Sequence, residues 1–380
     1  MPVGADGASL VDWRGIVEEA AMDAPAISRI RARAVLAPLA RPITTAAGAI
    51  PAAPLVLIDV ETDAGAVGRA YVFTYTPAVL RAVVDLVGQL SDMAAGLPAD
   101  PEDRSEGFAR AFRLLGRQGL LGMAIAGVEM ALWDLRGRLS GMSVCEMLGS
   151  APRPVRAYDS QGLFVPGRDD ARAEAALARG FRAIKVKAGG DPDQDLAALR
   201  RLRGIAGPEV DLMIDYNQTL SAPEAIRRVR RIEDAGIGLA WVEEPVPAED
   251  FAGHRAVREA VRTPLQTGEN WWFPEDAARA MAAGISDLAM PDVMKCGGIG
   301  GWRRAAAICG AASVPVSSHL FVEASAHLLA ATPNADWLEY LDLAGAILSE
   351  PAPVAGGCVT ARGPGLGIDW DAAAVARHAA

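Results

Sequence analysis

Between residues 151 and 345 the hydrophobic positions gather into short runs, each followed by a longer stretch with apolar residues at helical spacing. The runs predict strands at VRAYDS (155–160), AIKVK (183–187), DLMIDYN (211–217), LAWVEEP (239–245), LQTGEN (265–270), DLAMPD (287–292), VPVSSH (314–319) and WLEYLD (337–342). The intervening stretches read as helices; in APEAIRRVRRIEDAG, Ala225, Ile226, Val229 and Ile232 share one face. A repeat of this kind predicts a parallel sheet closed into a TIM-type barrel, with functional groups at the C-terminal ends of the strands.

Residues 27–150 follow another pattern. Two strand-like runs, RARAVLAPLARPITTAAG and APLVLIDVETDAGAVGRAYVF, the second turning at the DAG of 63–65, precede helices such as GLLGMAIAGVEMALWDLRGRLSG. This predicts an α+β domain capping the barrel. The tail, 346–380, contains GGCVTARGPGLGIDW and predicts a return strand and loop that rejoin the cap. Residues 1–26 form an extension with acids in it and neither the basic start nor the apolar centre of a signal peptide.

Composition narrows the function. No apolar run approaches the length of a membrane span, so a soluble, cytoplasmic protein is expected. A net charge of −10 over 380 residues argues against nucleic-acid backbones and anionic membrane surfaces, but not against small anions held by local cations. Cys145, Cys296, Cys309 and Cys358 form no CxxC pair and read as reduced thiols rather than metal ligands or nucleophiles.

The cations are nearly all arginine; Lys185, Lys187 and Lys295 are the exceptions among 37. Lysine loses its proton when desolvated or crowded by another cation, which arginine does not. On an extended strand Lys185 and Lys187 face the barrel interior together, so each is expected to depress the other's proton affinity and make one a base near neutral pH. The strand ends are also rich in acids. Asp215, Glu243 and Glu269 end three successive predicted strands, where a closed barrel brings them within reach of one ion. An all-oxygen set suits Mg²⁺, with Mn²⁺ as an alternative, better than zinc.

The words KVK, DYNQ, WVEEP, GENW, MPDVMKCGG, SSHLF and WLEYLD, in this order and spacing, closely resemble the mandelate racemase subgroup of the enolase superfamily. The match runs from about residue 31 to GLGIDW. The resemblance implies a modified (β/α) barrel under an α+β N-terminal capping domain completed by the C-terminal segment, and a homo-oligomer, often an octamer. It implies Lys187 as base for one enantiomer's α-proton, Lys185 as a neutralising cation and His319 with Asp292 as the opposing base. Relatives that lactonise muconate or epimerise dipeptides carry a second lysine in place of Asp292. Glu339 would be a protonated donor to the substrate carboxylate, which requires a raised pKa. Ser160 and Asn217 would make polar contacts to substrate.

The segment RPITTAAGAIPAAP, 41–54, matches the family's lid. Ile43, Thr45, Ala47 and Ile50 from it, with Tyr71, Leu320 and Leu341, are the expected substrate contacts. An apolar lid favours an aromatic 2-hydroxy acid such as mandelate, racemised by 1,1-proton transfer through an enolate. The mandelate lid has valines where Ile43, Ala47 and Ile50 stand, and Leu-Gly where this chain has Trp272-Phe273, so substrate preference can differ. Two alternatives stay open: an acid-sugar dehydratase using the His-Asp pair, and a binding barrel without chemistry.

Overall fold

The computed structural model describes residues 24–45 and 48–380, so most of the predicted N-terminal extension and Ala47 lie outside the described residues. The chain first lays down an antiparallel meander of β1 (Ile27–Thr45), β2 (Gly48–Thr62) and β3 (Val67–Phe73). Helices α1 (Leu80–Ala94), α2 (Pro101–Ala111) and α3 (Leu120–Ser140) follow, with the single turn α4 (Val144–Met147). The sheet packs on α1 and α3, which buries β2 from Ala53 to Val60. Gly68 of β3 faces the Ala131 carbonyl of α3 so closely that any Cβ there would collide with it.

The barrel strands are β4 (Pro154–Leu163), β5 (Ala183–Lys187), β6 (Asp211–Asp215), β7 (Leu239–Glu243), β8 (Leu265–Thr267), β9 (Leu288–Ala289) and β10 (Leu338–Tyr340). They run parallel in chain order, and β10 pairs back with β4. Between and after them lie α5 (Asp170–Ala178), α6 (Pro192–Ala206), α7 (Ala222–Asp234), α8 (Phe251–Ala260), α9 (Phe273–Ala283), α10 (Gly298–Ala311) and α11 (Val322–Ala330). Alternation along the strands divides the core. Tyr158, Ala183, Met213, Trp241 and Trp337 form a cluster of their own inside the barrel, while Ile184, Val186, Leu212, Ile214 and Val242 join the larger core under the helices.

The predicted strand over 314–319 is not continuous. It pairs with its neighbours as the isolated bridges Ala289–Val316, Asp292–His319 and Val316–Ala335 rather than as a ladder, and the Ser318 amide donates to the Trp337 carbonyl at 2.9 Å. The serines of this segment take over part of the ladder: the amides of Trp337 and Glu339 donate to the hydroxyls of Ser317 and Ser318 at 3.3 and 3.2 Å. The tail forms β11 (Val354–Ala355) and β12 (Cys358–Thr360), and β12 pairs antiparallel with β4. It then reaches α12 (Ala372–Arg377) and closes on the cap, where the amides of Leu36 and Ala380 donate to the carbonyls of His378 and Ala34. Among the described residues, no helix is long and apolar enough to cross a membrane. All four cysteines are unpaired.

Candidate active site

The C-terminal rim of the barrel gathers the acids that end three successive predicted strands, Asp215 and Glu243 as the last residues of β6 and β7 and Glu269 two residues past β8. One carboxylate oxygen from each of Asp215, Glu243 and Glu269 lies within 4.8 Å of the others, and all three residues are buried. Three buried carboxylates at this separation repel one another unless cations intervene. In this structure the side-chain cations do so. Lys185 Nζ sits 2.7 Å from Glu243 and 2.8 Å from Glu339, Lys187 Nζ sits 2.8 Å from Asp215, and His319 Nε2 sits 3.2 Å from Glu269. A cluster of hard oxygens that draws positive charge from three sides fits a divalent cation such as Mg²⁺.

The lysines depart from expectation. Burial lowers the proton affinity of Lys185, but Glu243 and Glu339 outweigh it and hold the ammonium charged. For Lys187 burial also lowers, and Asp215 outweighs both burial and the neighbouring Lys185, so the pKa is raised rather than depressed. The mutual repulsion of the two lysines exists, but the carboxylates beside them dominate. Asn217 bridges this group, accepting from Lys187 Nζ at 2.7 Å and donating to Asp215 from its side chain at 2.8 Å.

On the other side of the mouth, Asp292 Oδ2 lies 2.6 Å from His319 Nδ1. The other oxygen of Asp292 accepts the amides of Met294 and Lys295, which fixes the carboxylate as an acceptor and leaves His319 Nε2 turned toward Glu269. Burial lowers the affinity of the imidazole, yet Glu269 and Asp292 raise it to about 9. The expected protonated Glu339 is reversed. Burial pushes its carboxyl up, but Lys185 and His319 pull it down to about 2. It is an acceptor here, bonded by Ser160 Oγ at 2.7 Å and by the Leu320 amide at 3.0 Å. Ser160 therefore faces Glu339.

A cavity of about 670 Å³ opens above these groups, with Lys185, Lys187, Asp215, Asn217, Glu269, His319 and Glu339 at its polar end. Of the expected substrate contacts, Ser160, Asn217, Ile43, Ile50, Leu320 and Leu341 line it. The Thr45 side chain lies outside the described residues, as does Ala47. Tyr71 does not line the cavity. It is buried in the cap–barrel seam, donating to Glu323 Oε2 at 2.7 Å, because its place on β3 turns it toward α11.

Sequence reasoning missed Leu120 and Met123, which line the cavity from the first turn of α3 and carry the same apolar signal as core positions. It also passed over a chain of hydrogen bonds that runs from the cavity wall to Glu244 behind it, Lys295 to Asn270 at 2.6 Å and Asn270 to Glu244 at 2.7 Å. The adjacency of Asn270 to Glu269 in GENW was the available signal.

Two family models match the chain, "Mandelate racemase / muconate lactonizing enzyme, N-terminal domain" over residues 28–149 and "Enolase C-terminal domain-like" over residues 169–374. The chain belongs to the mandelate racemase/muconate lactonizing family of the enolase superfamily. Among solved members, an enolase from Bradyrhizobium complexed with magnesium and mandelic acid is 50% identical, with a TM-score of 0.91 over 95% of this chain and 100% of that one. An enolase from an alpha proteobacterium with bound magnesium is 38% identical, with a TM-score of 0.90 over 93% and 99%. D-galactarolactone cycloisomerase from Agrobacterium fabrum is 32% identical over 83% of this chain and 88% of its own. The chain is thus a member of an enzyme family and carries a three-carboxylate cluster suited to Mg²⁺.

Proposed function

We propose that this protein racemises an aromatic 2-hydroxy acid, mandelate or a close relative, by abstraction and return of the α-proton. The observation that carries the reading is one cavity in which a lysine and a histidine stand beside a three-carboxylate cluster, while the facing wall is apolar. Asp215, Glu243 and Glu269 would hold Mg²⁺, which supplies positive charge to the substrate's carboxylate as the α-carbon loses its proton.

The chain's own groups then divide the work. Lys187 comes from β5 and His319 from the segment after β9, so whichever of the two has shed its proton would take the α-proton and the other, still charged, would return one from the opposite side. Asp292 keeps the His319 ring oriented with Nε2 toward the carboxylate cluster, where it would meet the substrate once Glu269 turns to the metal. Lys185 adds a fixed positive charge beside Glu339. Glu339, ionised beside Lys185 at 2.8 Å, would donate to the substrate only after taking up a proton of its own as the substrate anion binds, with Lys185 staying charged. Ile43, Ile50, Leu120, Met123 and Trp272 would hold the aryl group by burial and exclude water. The same reading carries a cytoplasmic homo-oligomer, checked by sedimentation.

The deciding experiment follows optical rotation and ²H incorporation from solvent for (R)- and (S)-mandelate, with Mg²⁺ and with EDTA. Rotation that decays to zero from both enantiomers, with Mg²⁺-dependent exchange, supports the proposal. A keto acid formed from an acid sugar, with no exchange on mandelate, transfers the site to dehydration.

A further inference from the structure

Directly after His319 the backbone takes a conformation that costs energy. Leu320 has φ 53° and Phe321 has φ 49°, in the left-handed region that bulky side chains rarely occupy. The turn does two things for the site. It aims the Leu320 amide at Glu339 Oε2, 3.0 Å away, and it sets the exit direction of the segment that carries His319. Something must hold it there.

Within the barrel, Ser325 Oγ donates to the Leu320 carbonyl at 2.7 Å. The Ser325 amide also donates to the Phe321 carbonyl at 2.7 Å, and the cap adds a support of its own. Tyr71 of β3 stacks on the Phe321 ring with centroids 5.3 Å apart, and its hydroxyl donates to Glu323 Oε2 at 2.7 Å. All three side chains are buried, with exposures of 2–7%. Glu323 lies in the first turn of α11, two residues past Phe321. The phenol thus clamps the strained turn from its far side, by ring contact at 321 and by hydrogen bond at 323.

We propose that Tyr71 and Glu323 form a brace between cap and barrel that holds the Leu320–Phe321 turn, and through it the relation of His319 to Glu339, in working geometry. These are positioning residues, since neither lines the cavity. The consequence for catalysis rests on the racemase reading above; the brace itself does not. Burial pushes the Glu323 carboxyl up to about 7, with the phenol opposing and Asp342 adding to the rise. Glu350 and Arg362 line the small cleft on its other side. A buried acid held by a phenol, with Asp342 near it, keeps its hydrogen bond in either protonation state, because the Tyr71 hydroxyl can donate to a carboxylate or to the carbonyl oxygen of a carboxylic acid.

The test compares Y71F and E323Q in the full-length protein loaded with Mg²⁺, after circular dichroism has established that both fold. Y71F keeps the ring and loses the donor. It is expected to lower kcat for the exchanged hydroxy acid roughly tenfold with KM within about twofold, as loss of a buried hydrogen bond behind the site predicts. Amide hydrogen exchange over residues 319–325 should speed up in Y71F without any ligand. E323Q keeps an acceptor of the same shape and is expected to hold kcat within about threefold and to retain amide protection. A rise in KM at unchanged kcat in Y71F would overturn the proposal by making Tyr71 a substrate contact. Unchanged kcat and unchanged amide protection would overturn it as well. If the wild-type protein exchanges no aryl hydroxy acid, the racemase reading fails, and the amide-exchange arm still decides the brace.

Discussion

The barrel rim and the cap–barrel seam both bury carboxylates; burial and neighbouring acids push Glu243 up at the rim as burial does at the seam, and Glu339, between two cations, goes the other way. At the rim, Glu339 is buried against Lys185 and His319 and is held down to about 2. At the seam, Glu323 meets a phenol, and Glu129 meets the amides of Ile299 and Gly300 with the indole of Trp133. Burial lifts Glu323 to about 7 and Glu129 to about 8. Neutral donors fix where an acid sits, whereas cations decide whether it is charged. The rim is arranged for moving charge, and the seam is arranged for fixed position. Glu129 makes the point in geometry, because its two oxygens take the first free amides of α10 and so tie the cap's α3 to the segment just after Asp292 and Lys295.

Four measurements press on this contrast, in descending order of effect. Removing a base at the rim should be the most damaging: K187A and H319N are each expected to lose about 10²–10⁴ in racemisation, while each retains α-proton exchange on one enantiomer, read by ²H NMR. Equal loss of exchange on both enantiomers in both variants would sink the two-base reading. Next, D215N or E269Q should weaken Mg²⁺ at least about a hundredfold in a calorimetric titration, since even outer partners of metal ligands contribute 10–100-fold.

At the seam the expected readout is stability. With its pKa at about 7 in the fold against an ordinary 4.5, Glu323 keeps a proton that the unfolded chain has already released. Its stabilisation is therefore complete below about pH 4.5 and lost as pH rises through about 7. Urea unfolding at pH 5 and pH 8 should show a fall in stability that is smaller in E323Q, by roughly 2–3 kcal/mol. His327, pushed down to about 4 by burial, works in the opposite direction, so the difference between wild type and variant carries the test. The smallest effect belongs to the cavity wall. W272A should change the ratio of kcat/KM between mandelate and a bulkier aryl hydroxy acid by about tenfold, in favour of the larger substrate.

Much of this contrast is asymmetric in the sequence. The rim was legible because strand alternation and acid-tipped runs are local signals; Asp215 and Glu243 stand where the period of two puts them, and Glu269 is brought beside them by the turn at Gly268, two residues past the end of β8. Its charges were not. The charges that dominate Glu339 and Lys187 sit twenty or more residues away, Lys185 and His319 for the one and Asp215 for the other, so neighbours in sequence mislead about both. The seam was nearly invisible. Tyr71 sits in an apolar strand that looks like a pocket wall, and only the packing of β3 against α11 turns it to Glu323. The 314–319 strand failed for a local reason that can be named afterwards, the paired serines whose hydroxyls stand in for backbone acceptors. Leu120 and Met123 could not be separated from the core of α3, because a residue that faces a substrate and one that faces a neighbouring helix require the same apolar side chain.

The backbone at the rim has a further consequence for the protein's history. Among the described residues, eight other than glycine adopt positive φ, and all but Ser313 line the cavity or adjoin a residue that does or a metal-cluster glutamate: Tyr75, Asn217, Gln218, Glu244, Phe273, Leu320 and Phe321. Each is a position where glycine would relax the chain. At an exposed position such as Tyr75 that relief is open to selection for heat resistance, whereas at Leu320 and Phe321, 3% and 2% exposed, loss of the buried side chain outweighs it and the tension stays in place. In this protein the mouth of the barrel is where durability and activity compete for the same residues.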